Sequence, residues 1–234
     1  MYTDSEGIVL RQTKTLGGRR MVVLFTKRYG KLSAGTSISE KGKSKSALAL
    51  RPFTFGKYEF YKNNDNYSVN GAEVIKSYYE IGEDIDKFMA ASYALELTDN
   101  ILEDGQAEPS LFNHLEELLE LLAKRKSAFW TPVLAFILKA LIISGCGPDL
   151  KSDGKFFSVK DAKIITESDG LDPLVFPVDG KMLSAMRFME SHPIKSLDGL
   201  ALEEDTEYRI RKIFKSYLSF QLGIEGLKSE GLHI

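Results

Sequence analysis

The residues best suited to chemistry are basic side chains concentrated between Phe25 and Phe53. This stretch carries seven Lys or Arg residues against one acidic residue, Glu40, and three glycines and several Ser or Thr residues lie among them. Cationic side chains on a flexible, hydroxyl-rich backbone suit the binding of a phosphate backbone and suit a hydrophobic core poorly. With the basic residues that precede the stretch, and with Tyr29 as a surface for base stacking, the predicted nucleic-acid contacts are Arg11, Lys14, Arg19, Arg20, Lys27, Arg28, Tyr29, Lys31, Lys41, Lys43, Lys45 and Arg51.

The sequence is also compatible with a purely structural role for these residues. Lysines commonly form a solvated face, and aromatic residues such as Tyr29, Phe53, Phe55 and Tyr58 commonly pack into a core. The mixture of the cations with glycines and hydroxyl groups is what favours the binding interpretation.

Other chemistries find little support in the sequence. The three histidines, His114, His192 and His233, lie far apart and lack the spacing of metal ligands. No phosphate-binding loop, dinucleotide fingerprint or nucleophile elbow occurs. We therefore predict no catalytic residue and no cofactor, and a protein that is not an enzyme. A nuclease that uses carboxylates of the acidic half is the enzymatic alternative.

Charge is distributed unevenly along the 234 residues. Residues 1–80 carry 14 basic and 7 acidic side chains, a net charge of +7, whereas the remainder carries 17 and 26, a net charge of −9. This asymmetry predicts two domains with different partners, a nucleic-acid-binding domain at 1–80 and a second domain at 81–234. The chain starts with a polar segment unlike a signal peptide, has one cysteine, Cys146, and has no apolar run of membrane-spanning length. We expect a cytoplasmic protein without membrane contact.

Short β segments separated by turn signals dominate the first domain. Five such segments with one helical turn between the third and the fourth predict a small closed barrel, the five-stranded OB-fold. The predicted strands are 6–13, 21–26, 31–38, 55–62 and 67–79, and the helical turn is 44–50.

After residue 80 the apolar period changes from two to about 3.6, which predicts an all-α helical bundle and makes the fold class α+β. Thr131 before Pro132 is typical of a helix N-cap. A short irregular insertion at about 147–177, with weak strand character at 155–159 and 162–166, is expected to interrupt the helices. The predicted helices are 84–102, 109–123, 132–145, 181–190 and 203–222.

An ordered set of short motifs resembles the RecO family of bacterial recombination mediators. In the barrel these motifs are EGIVL (6–10), FT (25–26), GKL (30–32), KG (41–42), KS (45–46) with Leu48, and PF (52–53). In the helices they are YALEL (93–97) and the helix that ends at Gly145 before Pro148 and Leu150. The resemblance implies an OB-fold followed by a helical domain, without catalytic turnover, in a cytoplasmic and nucleoid-associated protein of DNA repair. It implies binding of single- and double-stranded DNA, annealing of complementary strands, and work with RecR to load RecA on strands coated by single-strand-binding protein.

The resemblance also implies that the acidic, Phe-ended tail of single-strand-binding protein binds in the second domain. Such a site needs a basic group beside an apolar surface. The candidates are Lys124, Arg125, Lys126, Arg209, Arg211 and Lys212. Each of them is also compatible with an ordinary helix surface.

The insertion departs from the family pattern. Many relatives carry a four-cysteine zinc site there, whereas Thr166 and Asp169 stand here where the second cysteine pair would fall. One thiol cannot make a four-sulfur site, so we predict no structural zinc. The insertion is expected to be held by packing onto the helices, through Phe156, Phe157, Leu174 and Phe176.

One further function stays open. OB-folds serve RNA as well as DNA, so an RNA-binding protein of translation or RNA handling is the alternative to a DNA-repair mediator.

Overall fold

The computed structural model describes residues 1–15, 20–38, 44–64 and 66–230 and consists of a β-barrel followed by helices. The barrel contains β1 (Tyr2–Lys14), β2 (Arg20–Thr26), β3 (Gly30–Thr36), α1 (Lys45–Ala49), β4 (Thr54–Asn63) and β5 (Asn66–Ser77). The long helices are α2 (Ile85–Ile101), α3 (Pro109–Lys124), α4 (Trp130–Ile143), α5 (Gly180–Ser191) and α6 (Glu204–Leu222). The predicted α+β class, with five strands followed by helices, is confirmed.

The five strands close into a barrel in the order β1-β2-β3-β5-β4. The long strand β1 pairs with both β2 and β4, and Gly7 has a partner on each side, Thr26 and Gly56. A parallel pairing of β3 with β5, which places Ala34 beside Tyr67, completes the ring. This strand order is consistent with the predicted OB-fold.

Helix α1 covers one end of the barrel. Ser44 begins it, because its side chain accepts a hydrogen bond from the N–H of Ala47 at 3.2 Å. At its other end the Ala49 carbonyl accepts a hydrogen bond from the Tyr58 hydroxyl at 2.7 Å, and burial raises the pKa of Tyr58. The barrel interior is filled by Val9, Val22, Leu24, Leu32, Ala34, Ala49, Leu50, Tyr58, Phe60 and Val69.

Apolar residues on the outer surface of the barrel are buried as well, against the helices. Successive residues of a strand point to opposite faces, so Val22 fills the barrel whereas Val23 and Phe25 join the core of the helical part. The ring of Phe112 on α3 lies 5.2 Å from that of Phe25 and 6.0 Å from that of Phe55. The outer surface of the barrel and the helices therefore share one hydrophobic core, which lies beside the separate core inside the barrel.

Helix α4 lies at the centre of the helical part, since every residue from Trp130 to Leu141 is buried. The predicted N-cap is wrong, because α4 begins at Trp130 and the side chain of Thr131 is used elsewhere. Its hydroxyl donates to the carboxylate of Glu207 at 3.1 Å and accepts from the N–H of Leu202 at 3.2 Å. Thr131 thus joins α4 to the region where α6 begins.

The segment between α4 and α5 contains a small antiparallel sheet. Two of its strands fall where weak strand character was predicted, and the third, together with the pairing, corrects the prediction that the insertion is otherwise irregular. Its strands are β6 (Phe156–Ser158), β7 (Lys163–Ile165) and β8 (Val175–Pro177), in the order β7-β6-β8. Phe157 is fully buried in the main core, and Leu174 and Phe176 pack against it as predicted. Phe156 is half-buried.

At Gly30 the barrel backbone lies very close to the connection from α2 to α3. Its φ of +66° is in the left-handed region, and a Cβ there would lie 2.0 Å from the carbonyl oxygen of Gln106. We expect Gly30→Ala to lower the free energy of unfolding by about 1–3 kcal/mol from backbone strain alone. The clash with the Gln106 backbone should increase this loss. Urea unfolding measures this loss.

Gly105→Ala is the matched control for Gly30→Ala. Gly105 also has a positive φ, +80°, but a Cβ there would meet nothing within 4 Å. This variant should lose less stability than Gly30→Ala, since it carries strain without a clash. An equal loss in both variants would show that the close approach to Gln106 contributes nothing.

His114 on α3 is expected to make stability depend on pH. Burial and the nearby charge of Lys139 lower its pKa, against the opposite effect of Glu117, and its Nδ1 has no hydrogen-bond partner among the described residues. The unfolded chain therefore binds the proton more readily, so this group's contribution to stability is lost as the pH falls. Between about pH 7.5 and about pH 5.5, either side of the ordinary histidine pKa, the wild type should lose more unfolding free energy than His114→Gln. Parallel urea titrations at the two pH values test this, and equal losses would contradict it.

Candidate nucleic-acid interface

Several of the predicted basic contacts fall into two groups at opposite ends of β2. Lys14 pairs with Arg20 at the start of this strand, whereas Lys27 and Arg28 follow its end. The seven residues of β2 span roughly 20 Å. The described cations of the stretch from Phe25 to Phe53 are therefore divided between the two ends of β2.

The first group, Lys14, Arg20, Lys45 and Arg51, is called the α1 surface. Lys45 is the exposed first residue of α1, and Arg51 is exposed just beyond the end of that helix. Arg20 donates hydrogen bonds to the Ile38 carbonyl and, at 2.5 Å, to the side-chain oxygen of Gln12. Within the described part of the chain, Lys14, Lys45 and Arg51 form no ion pair. Their charges face solvent and can meet an anion.

Three further predicted contacts, Arg19, Lys41 and Lys43, lie outside the described residues. In the sequence they belong to the connections between β1 and β2 and between β3 and α1. Their role as DNA contacts stays a prediction.

Two of the predicted DNA contacts, Arg11 and Lys31, interact with Asp99 on α2. The Nε of Arg11 lies 2.5 Å from the carboxylate of Asp99. The Nζ of Lys31 donates to the backbone carbonyl of Asp99 at 2.7 Å, and only 13% of its side chain is exposed. Both residues therefore join the barrel to the helices. The largely buried Lys31 is no longer interpreted as a DNA contact. The charge of Arg11 is compensated by the carboxylate of Asp99.

The turn between β2 and β3 does not offer the predicted stacking platform. The hydroxyl of Tyr29 is hydrogen-bonded to that of Thr3, and its ring packs against the barrel interior, 6.4 Å from the ring of Tyr67. Lys27 is paired with Glu6 at 2.8 Å. Arg28 is exposed like Lys27, and it lies 5.3 Å from the Tyr29 ring.

OB-folds use the outer surface of strands 2 and 3 for oligonucleotides. Here part of that surface is covered, because Val23 and Phe25 of β2 pack against the helices, and the connection from α2 to α3 pairs with the edge of β3. The N–H of Lys31 donates to the Gln106 carbonyl at 3.2 Å, and the N–H of Gly105 donates to the Lys31 carbonyl at 2.7 Å. The half of this face nearest the α1 surface is therefore the better candidate for binding.

A cleft of about 1090 Å³ adjoins the α1 surface. Arg20, Lys45 and Arg51 contribute to its lining. Its main apolar lining consists of Leu48, Pro52, Phe53, Tyr79 and Phe88. Neither Tyr79 nor Phe88 was predicted from the sequence to be functional. A signal for Tyr79 was its place, as an aromatic residue in the turn between the last barrel strand and α2.

Most of the predicted partner-binding cations have structural contacts. Arg125 is buried and donates to the carbonyls of Ser127 at 2.8 Å and Leu197 at 3.0 Å, and burial lowers its pKa. Its interpretation as a partner contact is therefore revised. Lys124 is exposed but paired with Glu120 at 2.9 Å, and Lys126 is exposed.

The second predicted set lies on α6. Arg209 is paired with Asp179 at 2.6 Å, and the guanidinium of Arg211 lies 3.7 Å from the centre of the Trp130 ring. Lys212 is exposed. Lys212 also contributes to the lining of a groove beside α6.

That groove, called the α6 groove, has a volume of about 570 Å³. It is lined by Leu174, Lys212, Lys215, Ser216, Ser219, Phe220, Ile224, Glu225 and Gly226. Phe220 is 49% exposed. The carboxylate of Glu225, the acidic group among the described residues of the lining, accepts a hydrogen bond from Ser219 at 2.6 Å. Two lysines beside apolar side chains suit an acidic peptide that carries an apolar residue.

The described residues contain no group of three or more His, Cys, Asp or Glu residues that could hold a metal ion. Cys146 is a half-buried free thiol, and its S–H donates weakly to the Ser144 carbonyl. In the same part of the chain, no helix has the length and apolar character needed to cross a bilayer.

Two family models match the chain along nearly its whole length. The model of the recombination protein O N terminal region matches residues 1–78, and that of its C terminal region matches residues 82–231. Relatives named DNA repair protein RecO show the same extent of similarity. The protein of Alkaliphilus metalliredigens is 26% identical over 232 residues, which cover 95% of this chain and 94% of the relative. Those of Bacillus subtilis and Halalkalibacterium halodurans are 27% identical over 235 residues (96% and 91%) and 24% identical over 252 residues (100% and 98%).

Proposed function

The chain belongs to the recombination protein O family, and we propose that it is a DNA repair and recombination mediator that binds single- and double-stranded DNA. It anneals complementary strands without catalysing a covalent reaction. With RecR, it helps RecA to load on strands coated by single-strand-binding protein. The relatives' name, DNA repair protein, supports the first part of this proposal.

The observation that carries the proposal is the α1 surface. Four cations, Lys14, Arg20, Lys45 and Arg51, surround one end of a barrel whose strand order is that of an oligonucleotide-binding fold. Cations at this spacing neutralise phosphates of a backbone and carry no base preference. Binding should therefore be salt-sensitive and largely independent of sequence.

Titration of a labelled single-stranded DNA across a salt series tests the proposal. Four phosphate contacts should give a slope of about −3 for log affinity against log salt, at about 0.7 per contact. A matched duplex should bind with a comparable dependence on salt. No affinity for either DNA, or an affinity indifferent to salt, would contradict the proposed function.

The RNA-binding alternative is decided by a comparison of DNA and RNA of matched sequence. A protein that reads RNA uses the 2′-hydroxyl groups and would prefer RNA strongly. The α1 surface consists of cations that contact phosphates, so we expect comparable affinities for the two single strands. A strong preference for RNA would replace the repair function with the alternative.

The α6 groove is the proposed site for the tail of single-strand-binding protein. An acidic tail ending in Phe would place its carboxylates near Lys212 and Lys215 and its ring against Phe220 and Ile224. The position is consistent with the charge asymmetry, because it supplies a local positive site within an acidic half.

Replacing both lysines of the groove is expected to weaken tail binding. Exposed charge pairs contribute about 0.2–1 kcal/mol each, so Lys212→Ala with Lys215→Ala should lower the affinity for a fluorescent tail peptide by about twofold to 30-fold at low salt. Lys45→Ala with Arg51→Ala removes the same charge elsewhere and should leave tail binding unchanged. The assignment of the tail to the α6 groove is rejected if the two double variants bind the peptide equally.

A further inference from the structure

The cleft beside the α1 surface exposes more aromatic surface than folding requires. Tyr79 is 67% exposed and Phe88 is 40% exposed. Both line the cleft, together with Pro52 and the largely buried ring of Phe53. An exposed set of neighbouring rings of this kind marks a binding site more often than a folding requirement.

Phe53 occupies an unusual backbone conformation at the floor of the cleft. Its φ is +60°, a region that costs a non-glycine residue about 1–3 kcal/mol and that occurs preferentially at functional sites. Its carbonyl accepts a hydrogen bond from the N–H of Tyr78 at 3.1 Å, and its ring meets that of Phe88 edge-on, with 5.4 Å between the ring centres. The contact fixes the orientation of both rings.

Cations stand beside these rings. Arg20, Lys45 and Arg51 line the same cleft, and Arg20 is oriented by the Ile38 carbonyl and Gln12. The carboxylate that lines the cleft with them is that of Glu73. Among the described residues of the lining, three side chains are basic and one is acidic.

We infer that this cleft takes unpaired bases of a single-stranded nucleic acid, with their phosphates on Arg20, Lys45 and Arg51. The inference rests on the proposed function and adds the mode of binding. Aromatic rings beside a cationic track are the arrangement by which proteins hold single strands, because every base offers a flat face for stacking. In a duplex those faces are covered by neighbouring bases, so the cleft selects single strands, whereas the α1 surface alone holds either form.

A thermodynamic cycle tests this inference by removing the bases from the ligand and the exposed aromatic side chains from the protein. The two ligands are an oligothymidylate of about 12 nucleotides, within the site size of an OB-fold, and an abasic strand of the same length and charge. The wild type should bind the oligothymidylate about tenfold or more tightly than the abasic strand, since stacking strengthens binding markedly for each base held. In Tyr79→Ala with Phe88→Ala this ratio should fall to about threefold or less, with the salt slope unchanged.

Two further variants keep the test specific. Tyr2→Ala removes an equally exposed aromatic residue, 73% exposed, from the strand end that pairs with Tyr61, and should leave the ratio as in the wild type. Tyr79→Ala alone removes a ring with little packing and should lower the ratio without affecting folding.

The outcomes separate this inference from the function on which it rests. If the wild type binds both strands equally and with salt dependence, the cleft does not hold bases, and the DNA-binding function stands. The inference is also overturned if the ratio survives in Tyr79→Ala with Phe88→Ala. Binding of neither strand would remove the proposed function itself.

Discussion

Lys45→Ala combined with Arg51→Ala is expected to reduce the affinity for single-stranded DNA by roughly 60-fold at about 50 mM salt. Each phosphate contact on a single strand contributes about 0.7 to the salt slope, so two contacts contribute about 1.4. At that salt concentration the release of the corresponding counterions raises the binding constant by roughly 1.8 powers of ten. Both side chains are exposed and unpaired among the described residues, so their loss removes charge and leaves the fold intact.

Fluorescence anisotropy over a salt series measures both the affinity and the slope. The matched control is Lys151→Ala with Lys155→Ala, which removes two exposed charges from the second half of the chain. We expect this control to change the affinity by less than about twofold, since it alters only the distant net charge. An equal loss of affinity in both double variants would mean that total charge and not the α1 surface governs binding.

The location of the α1 surface could be predicted from the sequence only in part. The abundance of cations in the first 80 residues is visible in the sequence, and it indicates a polyanion partner. A count of charges cannot reveal which cations have a carboxylate opposite them in the fold. Asp99, 68 residues beyond Lys31 in the chain, engages both Lys31 and Arg11, and no local pattern announces such a contact.

The succession of barrel strands and helices was predicted well because their patterns are local. Strand β2 contained a further signal that was not used. Its residues from Val22 to Phe25 are apolar without alternation, and an apolar run of this kind indicates a strand that is buried on both faces. In the structure one face fills the barrel and the other meets the helices, so this run predicts the contact between the two parts.

Two other features lay beyond sequence patterns. Strand β8 has three residues, too few to show a period, and it is defined by its pairing with β6. Thr131 has the residue type and position of an N-cap, but a carboxylate on α6 competes for its hydroxyl. In both cases a tertiary contact decides a structure that local propensity leaves open.

Phe112→Ala is expected to lower the free energy of unfolding by about 3–5 kcal/mol, the usual cost of removing a buried phenylalanine. The side chain of Phe112 is 1% exposed and contacts the rings of Phe25 and Phe55 on the barrel. The ammonium of Lys27 lies 5.3 Å from the same ring, an interaction that is lost as well. Because this ring joins the two parts of the molecule, its removal weakens the barrel and the helices together.

Urea unfolding followed by two signals tests the shared core. The fluorescence of Trp130 reports on the helices, and hydrogen exchange of the amides of β2 reports on the barrel. In the wild type both signals should change in one transition, since elements with a common core unfold cooperatively. Phe112→Ala should shift both, whereas Phe220→Ala, at a ring 49% exposed, should shift neither by more than about 1 kcal/mol. If Phe112→Ala destabilises the helices and leaves exchange in β2 unchanged, the barrel is stable by itself. The cations of the α1 surface would then be positioned by the barrel alone, without help from the helical part.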